Sequence, residues 1–297
     1  MNAAYLTPAV TLFREDGSLD FESQGRLFDR LIAEGIDGIL VGGSASEFFA
    51  MSMEQRREMA RFALKKVDHR VRLMVGTAHM EVNEIVEFSN DCLKASADAV
   101  MILPPYYVHF DPEALFQYYD YLASRINGPL YIYNFPENTG YTIPAQTVLA
   151  LAKKHRNIAG MKDTISGMDH TRELIKTVKS ERPDFEVFSG FDDNFAHNVL
   201  SGGDGCIGAL SNVVPELCAA WVRAFREDDM EGVAKGQQAI DRLMSIYPIC
   251  SPFMPAIKET ARLRGISKTS VCTFPMPRVT ESDEEKIKRL LDREGIR

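Results

Sequence analysis

Ile158-Ala159-Gly160-Met161-Lys162-Asp163-Thr164-Ile165-Ser166-Gly167, IAGMKDTISG, ends a short apolar run on a lysine and passes at once into small and polar residues. Read as a strand, its alternation places Ile158, Gly160 and Lys162 on one face and Ala159 and Met161 on the other. A buried strand that ends on a reactive group and is followed by a helical segment is the repeating unit of an α/β fold.

The unit recurs. Eight β-prone runs are spaced along the chain: Tyr5–Val10, Gly38–Val41, Arg72–Thr77, Ala99–Leu103, Leu130–Asn134, Ala159–Lys162, Glu186–Ser189 and Gly205–Ala209. Segments of helical periodicity lie between them. Ser52-Met-Glu-Gln55 has the pattern of a capping box, and Asp111-Pro112 supplies an N-cap followed by a first-turn proline. Leu27, Phe28, Leu31 and Ile32 form an apolar stripe that predicts a core-facing helix. Eight strands, each followed by helix, predict a (β/α)8 TIM barrel over residues 1–214 with additional C-terminal helices over 215–297, packed as one unit. The length of 297 residues suits this architecture.

Composition narrows the function classes. Hydrophobic residues at 45% and charged residues at 26% are those of a soluble globular protein. A formal charge of -8 argues against nucleic acid or an anionic membrane as partner. Cys92, Cys206, Cys218, Cys250 and Cys272 are odd in number and have no metal-ligand spacing, which predicts reduced thiols and no metal site. With no signal-like start and no apolar run of about 18 residues, a cytoplasmic location is expected.

In such a barrel chemistry gathers at the carboxyl ends of strands, where Lys162, Tyr133 and the run Gly42-Gly-Ser-Ala-Ser-Glu47 all fall. Burial penalises a charged amine, so a lysine in the barrel interior is a candidate nucleophile toward a carbonyl carbon, forming a Schiff base. The alternative is a lysine paired with Asp163 at a strand end. Tyr131, Tyr133 and Phe135 share a face of the preceding strand. Tyr133 can thus present a phenol that relays protons, or simply pack in the core as expected for Tyr131. The glycine-rich loop offers successive backbone N–H groups and the Ser44 hydroxyl to an anion such as a carboxylate. Together these groups suit a 2-oxo acid, with the ketone at Lys162 and the carboxylate at the loop. No P-loop or dinucleotide fingerprint is present.

The ordered series TPAVTLF, GGSASEF, LPPYY, YNFPENTG, GMKD, SGFDD and GCIGALSNV resembles the class I pyruvate-dependent aldolases grouped with dihydrodipicolinate synthase and N-acetylneuraminate lyase. The resemblance implies that Lys162 forms the imine, that Tyr133 relays protons with Ser44 in the relay, and that Ser44 and Ala45 hold the pyruvyl carboxylate. It implies no cofactor beyond this covalent imine. Tyr107 matches a tyrosine that reaches into a neighbouring subunit, implying a homo-oligomer, a dimer of dimers, although an aromatic that merely fills an interface would look the same. Gly190, Asp192, Asp193 and Ile207 fall at substrate-binding positions. The two acids could instead cap the next helix.

Departures bear on the substrate. Ala45 stands where a second hydroxyl is common and Ser46 where glycine is usual, departures expected to alter carboxylate contacts or the geometry of the loop. Asn138 replaces the arginine by which dihydrodipicolinate synthases hold a second carboxylate, and asparagine offers no charged fork. Ala209 stands where sialic acid lyases tend to have serine. The expected activity is therefore reversible cleavage of a 2-keto-3-deoxy sugar acid, or a related sugar acid, to pyruvate and an aldehyde. The alternatives are 4-hydroxy-tetrahydrodipicolinate synthase, N-acetylneuraminate lyase and a noncatalytic pyruvate-binding paralogue.

Overall fold

A computed structural model describes residues 1–296; Arg297, the last residue of the expected extension, lies outside the described residues. Eight parallel strands pair in sequence order and close into a barrel. They are β1 (Ala4–Pro8), β2 (Gly38–Val41), β3 (Arg72–Gly76), β4 (Ala99–Ile102), β5 (Leu130–Asn134), β6 (Ile158–Asp163), β7 (Glu186–Ser189) and β8 (Gly205–Ile207). Every residue of β2, β4 and β5 is buried, as in parallel strands covered on both faces. All eight expected runs are strands. Four end before the expected residue, at Pro8, Gly76, Ile102 and Ile207; at the first and last of these Val10 gives its N–H to Asn212 Oδ1 at 3.1 Å, not to a ladder, and Ala209 opens a 3-10 turn.

Among the described residues twelve α-helices accompany the strands: α1 (Phe21–Glu34), α2 (Met53–Val67), α3 (Val82–Lys94), α4 (Pro112–Ala123), α5 (Pro136–Thr139), α6 (Ala145–Lys154), α7 (Asp169–Leu174), α8 (Phe195–Leu200), α9 (Pro215–Arg226), α10 (Met230–Leu243), α11 (Met254–Leu263) and α12 (Glu281–Arg293). The expected caps form. Ser52 and Gln55 make the reciprocal capping box of α2, and Asp111 accepts from Ala114 N–H ahead of Pro112 in α4. Among the described residues no helix is long and apolar enough to cross a membrane. The expected division at 214/215 falls between β8 and α9, the helix that completes the eighth β/α pair.

The chain forms two compact units. One comprises Met1, Tyr5–Leu73 and Gly208 onward. Here Leu27, Phe28 and Leu31 of α1 are buried, with Ile32 only half-buried, and Trp221 of α9 donates to Val233 O of α10 at 2.9 Å. The other comprises Asn2–Ala4 and Met74–Ile207, and carries β4 to β8 with α3 to α8. Within it the register of β5 on β6 slips between Leu130 and Tyr131, leaving Ala159 as an extra residue. This bulge puts Ile158 out of phase with Gly160 and Lys162, so the simple alternation expected for the whole run holds only from Gly160 onward.

Candidate active site

Beyond the bulge, β5 and β6 pair Tyr131 with Gly160, Tyr133 with Lys162 and Asn134 with Asp163. Gly160 is glycine for a packing reason. A Cβ there would stand 2.3 Å from the Tyr131 ring and 2.6 Å from Glu186 O. Tyr131 thus fills the space beneath the lysine, and its hydroxyl donates to Glu186 on β7.

Lys162 and Tyr133 are 5% and 4% exposed. Lys162 Nζ donates to Tyr133 Oη at 3.3 Å and lies 4.4 Å from the centre of its ring. Phe135 stacks on Tyr133 at 6.0 Å with a 21° interplanar angle. An amine and a phenol in contact, both withdrawn from water, can act on a carbonyl compound as nucleophile and proton donor or acceptor. Asp163 does not hold Lys162 by an ion pair. Its carboxylate accepts from Asn134 Nδ2 and Thr171 Oγ1 at 2.7 and 2.6 Å and lies 3.0 Å from His170 Nδ1.

Thr164, two residues past Lys162, is a member of this neighbourhood that sequence reasoning passed over. Its N–H bonds to Asn134 O at 2.9 Å, but its buried Oγ1 has no hydrogen-bond partner. Gly190, after β7, makes room for that hydroxyl, since a Cβ at 190 would come within 1.8 Å of Oγ1. The signal available in the sequence was period two: 160, 162 and 164 fall in phase along one strand and its continuation.

Asp192 is buried and Asp193 half-buried in the turn that follows Gly190. Neither is an N-cap, because Phe191 and Asn194 occupy those positions. Ile207 ends β8 fully buried. Asn138 is exposed in the short α5, and Tyr107, 85% exposed, lies in the segment between β4 and α4.

In the other unit, Ser44 and Ala45 lie in a 3-10 turn directly after β2, Ser44 half-buried and Ala45 buried. Ser46, flagged as a departure that could alter this loop, braces it: Oγ donates to Ala9 O at 2.6 Å and accepts from Gly42 N–H at 3.1 Å. Glu47 closes the turn in the left-handed region at φ 61. Its buried carboxylate pairs with buried Lys258 of α11 and accepts the N–H and hydroxyl of Thr273 at 2.7 and 2.8 Å. None of this was visible in the loop's own sequence.

Residues 2–294 match the Dihydrodipicolinate synthetase family. The chain is 35% identical to a probable 2-dehydro-3-deoxy-D-pentonate aldolase, YjhH, of Escherichia coli K12, covering 98% of this chain and 97% of that protein. It is 31% identical to a 4-hydroxy-tetrahydrodipicolinate synthase of Kosmotoga olearia, covering 97% and 96%. The crystal structure of E. coli K12 YagE in complex with pyruvate matches with a TM-score of 0.96 at 33% identity over 99% of both chains. The chain belongs to the dihydrodipicolinate synthetase family and is an aldolase-type lyase.

Proposed function

We propose that the protein reversibly cleaves a 2-keto-3-deoxy sugar acid to pyruvate and an aldehyde through an imine on Lys162. The observation that carries this reading is the buried contact of Lys162 Nζ with Tyr133 Oη at 3.3 Å. The amine attacks the C2 ketone and water leaves. As the C3–C4 bond breaks, its electron pair passes to the protonated imine nitrogen, the C4 hydroxyl gives up its proton through Tyr133, and the aldehyde departs. The resulting enamine is protonated at C3, and hydrolysis of the imine frees pyruvate and Lys162.

The polyhydroxylated class of substrate is supported by Thr164. A buried hydroxyl with no partner in the protein is able to meet a ligand hydroxyl. The description of YjhH as a probable 2-dehydro-3-deoxy-D-pentonate aldolase supports the same class. Asp192 and Asp193 are assigned to further substrate hydroxyls, Gly190 and Ile207 to the walls around the substrate, and Ser44 and Ala45 to the carboxylate. Tyr107, so largely exposed on the single chain, is assigned to the site of a neighbouring copy in a dimer of dimers.

Borohydride reduction in the presence of pyruvate, followed by peptide mass spectrometry, tests the imine. The expected result is a reduced pyruvyl adduct on Lys162 in the wild type and none in Lys162→Arg; no adduct on folded wild type would refute it. Turnover of 2-dehydro-3-deoxy-D-pentonate or -D-gluconate, against none with pyruvate plus aspartate semialdehyde, would separate this reading from the synthase. Exposed, uncharged Asn138 argues against the synthase.

A further inference from the structure

One residue past Tyr133 and Lys162, Asn134 and Asp163 are opposed in the same register, and alternation turns them to the other face of β5 and β6. Asn134 Nδ2 donates to Asp163 Oδ1 at 2.7 Å, and Asn134 Oδ1 accepts the backbone N–H of Ile143 at 3.1 Å. His170 at the start of α7 completes the circuit, with Nδ1 3.0 Å from Asp163 Oδ2 and Nε2 3.0 Å from Ile143 O. Asn134, Asp163, His170 and Ile143 therefore form a closed ring. All four are buried. It ties the catalytic strand pair to the segment between α5 and α6.

The ring fixes its own protons. A carbonyl oxygen only accepts, so His170 Nε2 carries a hydrogen toward Ile143. Asp163 Oδ2 already accepts the Thr171 hydroxyl at 2.6 Å, and with this carboxylate ionised Nδ1 must carry a hydrogen too. His170 is then an imidazolium, neutralised by Asp163. Burial alone would lower its pKa. The hydrogen bond and charge of Asp163, with the Ile143 carbonyl and the charge of Glu173, outweigh burial and raise it. The groups that face His170 are thus Asp163 from β6, the Ile143 carbonyl from the segment before α6 and Glu173 from its own helix. Loss of the proton would leave a nitrogen lone pair against a carboxylate oxygen in a buried site.

We propose that Asp163 and His170 are positioning residues: the proton on His170 keeps the ring closed, the ring holds Tyr133 against Lys162, and proton transfer to and from the substrate carbon depends on it. The inference rests on the imine reading of Lys162. The sign follows from a raised value. The ring's contribution is complete below about 6.5, the ordinary histidine value, and is lost as pH rises through the higher value of the folded protein.

The test uses pyruvate alone. Exchange of its methyl hydrogens with deuterated solvent, followed by NMR, requires imine formation at Lys162 and then proton removal from C3. In His170→Gln we expect the maximal exchange rate at neutral pH to fall about 10- to 100-fold, half-saturating pyruvate to stay within about threefold, and the alkaline loss of rate assigned to His170 to disappear. Asp163→Asn should behave alike. Long-range nitrogen–proton NMR of the wild-type imidazole should show both ring nitrogens of His170 protonated at pH 7. An exchange rate within about twofold of wild type with an unaltered pH profile, or a neutral His170 ring at pH 7, would overturn the proposal. If the variants do not fold, the wild-type spectrum decides. Failure of wild type to give a borohydride-trapped adduct on Lys162 would instead remove the imine reading itself.

Discussion

Thr164 Oγ1 stands 1.8 Å from where a Cβ on residue 190 would be, so the glycine after β7 and the threonine after β6 are two parts of one arrangement. The arrangement leaves a buried hydroxyl without a hydrogen-bond partner. A buried polar group left unsatisfied costs about 1–3 kcal/mol. Thr164→Val keeps the shape and removes the hydroxyl. The expected outcome is an unfolding midpoint in urea equal to or above wild type, together with a loss of about tenfold or more in kcat/KM on the sugar acid. A variant as active as wild type would remove Thr164 from the substrate's contacts.

Gly190→Ala should fail differently. The new methyl would meet not only Thr164 Oγ1 but also its Cβ at 2.6 Å and its Cα at 2.8 Å, so rotation of the threonine side chain cannot relieve the contact. Overpacking of this kind costs about 1–3 kcal/mol. We expect a lower urea midpoint by chemical denaturation and reduced activity together. The double variant Gly190→Ala/Thr164→Ala should recover only part of the stability, since it removes Oγ1 while the clashes with Cβ and Cα remain.

Tyr133→Phe separates the phenol from the ring. The stacking on Phe135 survives, and Lys162 loses its 3.3 Å oxygen partner. Loss of a positioned proton relay predicts a fall of about 10²–10⁴ in kcat with near-native circular dichroism. Borohydride trapping at Lys162 should persist but develop more slowly. Undiminished turnover would show that another group moves the protons.

Much of this was legible in the sequence because burial on both faces makes parallel strands read as apolar runs, and the caps Ser52 and Asp111 mark where helices begin. Lys162 and Tyr133 stood out for the complementary reason: each is a polar group one residue before the end of an apolar strand. What stayed hidden was relational. The bulge at Ala159 depends on how β5 and β6 pair, and nothing about alanine announces it. Asn134, Ile143, Asp163 and His170 come from separate stretches, and each looks ordinary until hydrogen bonds join them. Ser46 looked like a disturbance to the loop after β2 and is a brace for it, because Ala9 O and Gly42 N–H are close only in the folded chain.

Glu47 and Lys258 form a buried ion pair. Both side chains are essentially inaccessible to water, at 0% and 1% exposure, and Glu47 also takes the two hydrogen bonds of Thr273 from the segment between α11 and α12. Removing one partner of such a pair leaves an uncompensated buried charge at a cost of about 3–5 kcal/mol, whereas removing both is far less damaging. Lys258→Met should therefore lower the urea midpoint sharply, and Glu47→Gln should do the same. Glu47→Gln/Lys258→Met should recover most of the loss, giving a positive coupling in a double-mutant cycle. On the proposal that Ser44 and Ala45 hold the pyruvate carboxylate, the single variants should also raise the pyruvate concentration needed for half-maximal trapping at Lys162, because Glu47 ends their turn, and the double variant should return it toward wild type. Additive losses of stability would mean that the two charges do not act as a pair.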